Sequence, residues 1–220
     1  GGGDSHLSLP LTLEAPPAGM TAFRIAMRGL KGGHSGVDIH LQRGNAIRLL
    51  ARLIDRAARD IDLRLAAFEG GDKHNAIPRE ATATVLVASA DVDGFRQRLD
   101  EELDRIQGAF APAEPGLAMT AEEAASPEKT LDGKSSWTAL HLLLALPHGV
   151  AAMSYDIPDL VETSTNLARV RTEDGRLTVL MSTRSSVASE LEALRARIER
   201  GRYEIKPDRV ALAMLRRGDL

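Results

Sequence analysis

The 220-residue sequence contains no cysteine. That excludes disulfides, thiolate nucleophiles and thiolate metal ligands, and it fits a reducing compartment. Aromatic residues make up only 3% of the chain, so a core must be built from Ala, Leu, Val and Ile. The formal charge is −3. No basic excess marks a surface for nucleic acid or an anionic membrane, and neither is expected as a partner. No apolar run approaches the roughly 20 residues that span a bilayer. The longest, Ala139 to Pro147, is interrupted by His141. The first residues lack a basic segment followed by an apolar one, so they do not read as a signal peptide. They open on Gly1-Gly2-Gly3 rather than methionine. That leaves a processed piece, an excised domain and an incomplete reading frame all open.

What is present is ordinary for a globular protein: 43% apolar and 27% charged residues, with length for one large domain or two small ones. Residues 1–19 read as irregular, with Pro10, Pro16 and Pro17 close together. Thr21 to Arg28 alternates, with Phe23, Ile25 and Met27 on one face, and reads as a strand. A glycine-rich turn follows. Ile47, Leu50, Leu53, Ile54 and Ala57 then recur at helical spacing within 44–59. Leu63 to Phe68 and Ala81 to Ala88 read as strands. Asp91 is a candidate cap for a helix carrying Phe95, Leu99, Leu103 and Ile106, which Pro112 and Pro115 end. Leu117 to Glu122 completes a β-α-β-β-α-β order, the split arrangement of an antiparallel sheet with helices on one face.

The second half reads roughly as β-α-β-β-α. Ser135 or Ser136 caps a helix through Leu146, and Met153 to Pro158 is irregular. Asp174-Gly175 between the runs 162–171 and 176–183 is a strong hairpin signal. A last main helix covers 190–200, and the basic tail 201–220 holds a helix-like stretch, 210–217. The expected class is therefore α+β, with two halves alike in topology and no residue-level repeat.

Few side chains suggest chemistry. His34 lies in Lys31-Gly32-Gly33-His34-Ser35-Gly36-Val37-Asp38-Ile39-His40, between a strand and a helix. Glycines let another molecule approach the backbone closely. An imidazole presented there can bond a substrate oxygen or stabilise an oxyanion, or it can simply bond nearby backbone. His40, six residues on, is a poor match to the spacing of paired ligands on a helix. His74 is ambiguous, and the six histidines contain no His-x-x-x-His pair. Asn75 can donate and accept, which suits a peptide or carboxylate, or it can be a turn residue tolerant of positive φ. Arg184 ends a strand, and its planar fork suits a carboxylate, although an exposed strand-end arginine is commoner. Neither a phosphate loop nor a dinucleotide fingerprint is present.

Taken in order, several motifs resemble one family, the aminoacyl-histidine (Xaa-His or cytosol non-specific) dipeptidases of the M20 metallopeptidase group. They are Gly32-Gly33-His34-Ser35-Gly36-Val37-Asp38-Ile39-His40, Arg43-Gly44-Asn45-Ala46, Asn75-Ala76-Ile77-Pro78-Arg79-Glu80-Ala81, Leu146-Pro147-His148-Gly149-Val150, Val161-Glu162-Thr163-Ser164-Thr165-Asn166-Leu167 and Arg184-Ser185-Ser186. The resemblance implies the lid and dimerisation domain of such an enzyme over 20–200, with halves of about 20–122 and 123–200 that are each βαββαβ-like. Residues 1–19 would form the junction to a catalytic domain, and 201–220 depart from the family pattern. It implies a cytoplasmic homodimer that hydrolyses Xaa-His and other dipeptides. Two zinc ions would sit in the catalytic domain, whose ligands flank this segment, and none on this chain. It implies that His34 stabilises the oxyanion, Arg184 binds the substrate carboxylate, and Asn75 and Asn166 hold the substrate. Two other readings remain at this level. One is a non-catalytic dimerisation or interaction module derived from such a lid. The other is an independent hydrolase with His34, His40 and His74 as metal ligands.

Overall fold

Alternating strands and apolar helix stripes account for most of the architecture. The computed structural model describes residues 1–199. In chain order the elements are β1 (Gly2–Pro10), β2 (Leu13–Glu14), β3 (Met20–Arg28), β4 (Gly33–His34), a 3-10 turn (Ile39–Leu41), α1 (Ala46–Ala57), β5 (Leu63–Gly70), β6 (Ala76–Ile77), β7 (Ala81–Ala88), a second 3-10 turn (Ser89–Asp91), α2 (Val92–Phe110), β8 (Ala118–Ala124), β9 (Thr130–Leu131), α3 (Gly133–Ala145), β10 (Gly149–Met153), β11 (Val161–Glu173), β12 (Arg176–Ser185) and α4 (Ala188–Glu199). No helix among the described residues is long and apolar enough to cross a membrane.

One eight-stranded sheet runs β1-β12-β11-β5-β7-β3-β8, with β10 paired to β11. All its pairings are antiparallel. Its first half, β8-β3-β7-β5, is the split arrangement that the sequence pattern predicts, and the chain as a whole is α+β. The alternation of β3 puts Phe23, Ile25 and Met27 against Leu50, Leu53 and Ile54 of α1 and Phe95 and Leu99 of α2. The same apolar cluster continues through Leu140 and Leu143 of α3, Leu167, Val179 and Met181 of the second half, and Ile198 of α4. Two of the few aromatics pack together in this core. The Phe23 and Phe95 rings lie 5.8 Å apart, with the Arg96 guanidinium 4.8 Å above Phe23.

The second half departs in detail from the sequence reading. Residues 1–19 are not irregular throughout. Gly2–Pro10 runs beside β12 from Gly2↔Arg184 to Pro10↔Arg176, and supplies the outer strand of the second half. Alternation is weak there because Ser5, buried among exposed neighbours, stands where an apolar residue marks a strand. β10 is a further strand, and Gly149 to Met153 has no apolar-polar alternation to mark it in the sequence. The helix caps differ too. Asp132, not Ser135 or Ser136, caps α3, its carboxylate accepting from the Ser135 N–H at 2.6 Å. That bond holds the Asp132 carboxyl below the usual carboxylate range. Ser135 and Ser136 instead accept the N–H groups of Thr12 and Leu65. Asp91 precedes α2 without a side-chain cap bond. The Asp174-Gly175 hairpin is as expected, both residues having positive φ (48° and 70°), the geometry of a type I′ turn. The helix-like stretch 210–217 lies outside the described residues.

The two halves of the sheet meet along a narrow seam. β11 and β5 pair through only Val170↔Gly70 and Arg171↔Glu69. Side chains extend it. Arg171 donates to the Gly70 and Gly71 carbonyls, each at 3.2 Å, and Thr172 Oγ1 accepts from the Phe68 N–H at 2.8 Å. Gly71 has φ +69°, and a Cβ there would lie 1.9 Å from the Ala168 carbonyl oxygen, so only glycine fits. Ala168 is the extra residue of a β-bulge between Leu167↔Met181 and Arg169↔Leu180. Buried Asn45 does two jobs. Its Oδ1 caps α1 by accepting from Ile47 and Arg48, and its Nδ2 donates to the Leu167 carbonyl at 2.9 Å. We expect Asn45→Ala to lower stability by about 2–3 kcal/mol, the cap plus a stranded buried carbonyl. Urea denaturation of the variant checks this, and a loss below about 1 kcal/mol would mean the seam does not depend on Asn45.

Candidate functional site

The glycine-rich turn places His34 on β4, which pairs with β6 through Gly33↔Ile77 and His34↔Ala76. Its ring is held by its own loop. Nδ1 accepts the N–H of Gly36 at 3.2 Å and that of Val37 at 3.1 Å. A nitrogen accepting two hydrogen bonds carries no proton, so the neutral ring has its proton on Nε2. Nε2 has no partner among the described residues. The backbone of His34 is fixed by Asp38, whose Oδ2 accepts the His34 N–H at 2.8 Å. Arg43 donates to the Gly32 carbonyl at 2.6 Å and lies 3.7 Å from Asp38 Oδ2.

Arg184 comes to the same place from the other half of the sheet. A Cβ on Gly36 would lie 3.1–3.2 Å from its Cδ, Nη1 and Nε, so the guanidinium rests against the turn that holds His34. Register puts Asn166 with it: Ser164↔Arg184 and Asn166↔Ser182 make Asn166 and Arg184 diagonal neighbours on one sheet face. Asn166 is fully buried, and its Nδ2 donates to the Ala76 carbonyl at 2.8 Å. The Asn75 carbonyl accepts the Ser35 N–H at 2.8 Å. Asn75 lacks positive φ, so it is not in the turn for αL tolerance. Its side-chain amide has no partner among the described residues.

His34, Asn75, Asn166 and Arg184 are thus brought together. So are three buried polar atoms with no protein partner: Ser35 Oγ, Asn166 Oδ1 and Arg184 Nε. Buried polar atoms are paired in the great majority of cases, so three unpaired ones in one place single it out as a candidate site. Beneath them the strands are polar where strands are usually apolar. Thr163 bonds Ser185 at 2.8 Å and Thr165 bonds Thr183 at 3.3 Å, all four buried. That run of hydroxyl residues in two otherwise alternating strands is a signal sequence reasoning passed over. Ser35 and Asp38, which lie in the His34 loop, carry no sequence signal of their own beyond that motif.

His34, His40 and His74 are not brought together as ligands. His34 Nδ1 is taken by backbone and His74 faces Asp4 at 3.2 Å. No group of three or more His, Cys, Asp or Glu among the described residues is placed to hold a metal ion. The reading of these three histidines as a metal site therefore finds no support in their arrangement, and the zinc ions that the resemblance implies would be held by residues of another domain.

His148 stands behind the site. Its Nδ1 lies 3.3 Å from Asn45 Nδ2 and 3.4 Å from the Leu167 N–H. Burial, with the Arg48 charge nearby, pushes its pKa down to about 3.

Comparison with known proteins agrees with this fold. Residues 25–111 match the peptidase dimerisation domain of the M20 family. Fold and match together define the class: the chain carries an M20 peptidase dimerisation domain. Within that class it is 39% identical over 189 residues to the cytosol non-specific dipeptidase of Escherichia coli (strain K12), covering 86% of this chain and 39% of that protein. Its structure superposes on the crystal structure of aminoacylhistidine dipeptidase from Vibrio alginolyticus with a TM-score of 0.83 and 33% identity, covering 88% of this chain and 41% of that one. The chain spans about two fifths of the length of each.

A pH dependence follows from His148. The folded ring stays neutral down to about pH 3, whereas the unfolded ring takes up a proton near its ordinary value of 6.5. Between those values protons favour the unfolded chain, so stability is full above about pH 6.5 and falls as the pH drops. Between pH 7 and pH 5 we expect wild type to lose up to about 2 kcal/mol more than His148→Gln. Denaturant titrations at both pH values measure this, and parallel losses would remove His148 as the cause.

Proposed function

We propose that this chain is the lid and dimerisation portion of a metal-dependent dipeptidase, over about 20–200 with β1 (Gly2–Pro10) joined to its sheet. The names of its relatives in E. coli and V. alginolyticus support dipeptides, Xaa-His among them, as the substrate class. The first name supports a cytosolic enzyme and the dimerisation-domain match a homodimer, while two zinc ions held by another domain rest on the motif resemblance alone. One observation carries the reading. His34 is turned so that Nδ1 is satisfied internally and Nε2–H is the free donor, with the Arg184 guanidinium against the same turn.

His34 Nε2–H would donate to the scissile carbonyl oxygen as it becomes negative. A donor already aimed at developing charge needs no reorganisation during the reaction. Arg184 would hold the C-terminal carboxylate by its planar fork, which limits substrates to those whose chain ends at that distance. Asn75, through its unpartnered amide, and Asn166, through its unpaired Oδ1, would hold the remaining polar groups of the substrate.

In the full-length protein, His34→Ala should lower kcat by about 10²–10³ with a much smaller change in KM. Steady-state kinetics at near-wild-type turnover would falsify the assignment. Arg184→Ala should cost about 10–100-fold in kcat/KM on free dipeptides and far less on their C-terminal amides. Equal losses on both series would remove Arg184 from carboxylate recognition.

A further inference from the structure

We infer that Glu114 is the positioning residue for His34, an inference that rests on the reading of His34 as an oxyanion donor. Glu114 lies in the turn after α2, between Pro112 and Pro115, far in sequence from the glycine-rich loop. It is only 2% exposed. A buried carboxylate is costly unless both oxygens find partners. Its partners are the two ends of the His34 loop: Oε2 accepts the Lys31 N–H at 2.7 Å, and Oε1 accepts the Gly44 N–H at 2.9 Å. One side chain thus closes the loop of residues 32–43 at its neck.

The backbone around Glu114 is pressed against the same neck. Gly29 has φ +78°, and a Cβ there would lie 1.9 Å from the Gly116 carbonyl oxygen. A Cβ on Gly44 would lie 2.7 Å from Leu30 Cδ2 and 3.5 Å from Glu114 Cγ. Inside the closed neck, the Asp38 bond to the His34 N–H and the Arg43 bond to the Gly32 carbonyl set the start of the turn. The Gly36 and Val37 N–H groups then meet Nδ1 and leave Nε2–H pointing free. The contacts run without a break from Glu114 to the ring. Chemistry explains why a carboxylate stands there. It offers an acceptor on both oxygens, whereas a glutamine amide would turn N–H against N–H on one side. Glutamate also differs here from its buried neighbour on α2, Glu102, which is paired with Arg52 and Arg105.

Glu114→Gln, which keeps the volume and removes one acceptor, is the test. In the full-length protein we expect kcat to fall on the order of tenfold with KM changed less than about twofold, the signature of a misplaced donor. Adding it to His34→Ala should cost no further turnover, because both changes remove one function. In ¹⁵N-edited spectra of the 220-residue chain, His34 should move from the Nε2–H tautomer toward a mixture. Asp38→Ala, at a partly exposed position less exposed to folding failure, should give the same kinetic and spectral signature, and it decides the matter if Glu114→Gln does not fold. Wild-type turnover and a wild-type His34 tautomer in the folded variant overturn the inference. A shifted tautomer alongside wild-type turnover in His34→Ala supports positioning and overturns the oxyanion reading alone.

Discussion

Among the described residues, two residue pairs, Val170↔Gly70 and Arg171↔Glu69, make up the whole backbone ladder between the halves of the main sheet. So short a ladder would be weak by itself, since strands gain stability pair by pair. It holds because side chains lengthen it: Arg171 toward two carbonyls, Thr172 toward Phe68, and Asn45 from the head of α1. The seam matters for more than stability. His34 belongs to one half and Arg184 to the other, and their meeting depends on how the halves are joined.

The division of labour between the halves is chemical as well as geometric. The first half provides loops with backbone donors and a ring whose orientation is fixed from within. The second provides strands whose buried threonines and serines support a guanidinium and an amide. Polar groups held in a low-dielectric setting interact strongly but are costly if left unpaired. Three such atoms remain unpaired where the halves meet, and elsewhere the polar side chains near the seam, Asn45 and Thr172 among them, are satisfied. Such unpaired groups are uncommon in folded proteins, which sets this place apart from the rest of the seam.

Much of the first half was legible in the sequence, since β3, α1, β5, β7 and α2 alternate or repeat at their proper periods. The Asp174-Gly175 turn was equally plain. The second half was harder because the open ends of its long strands, 163–166 and 182–185, are polar on both faces, so burial there is not written as hydrophobicity. β1 was hidden for the same reason, its inward Ser5 being polar. The α3 cap was misread because three capping residues, Asp132, Ser135 and Ser136, stand close together, and only packing decides which faces the helix and which face Thr12 and Leu65. His34 and Arg184 drew attention by residue type and position. Glu114 could not, because a glutamate between two prolines looks like any solvated turn. Its role depends on a loop some seventy residues earlier in the chain.

The single extra residue in β11 has an effect out of proportion to its size. Counted outward from the Asp174-Gly175 turn, Arg169↔Leu180 and Arg171↔Thr178 lie on the face opposite Val170↔Val179. An unbroken ladder would carry that count onward, setting Asn166 opposite Thr183 and on the helix-covered face. Ala168 resets the phase, so Asn166 stands opposite Ser182 and looks out on the same side as Arg184. The bulge works as a half-period delay written into one strand. It lets a hairpin be apolar toward the helices near its turn and still present an amide and a guanidinium together at its open end.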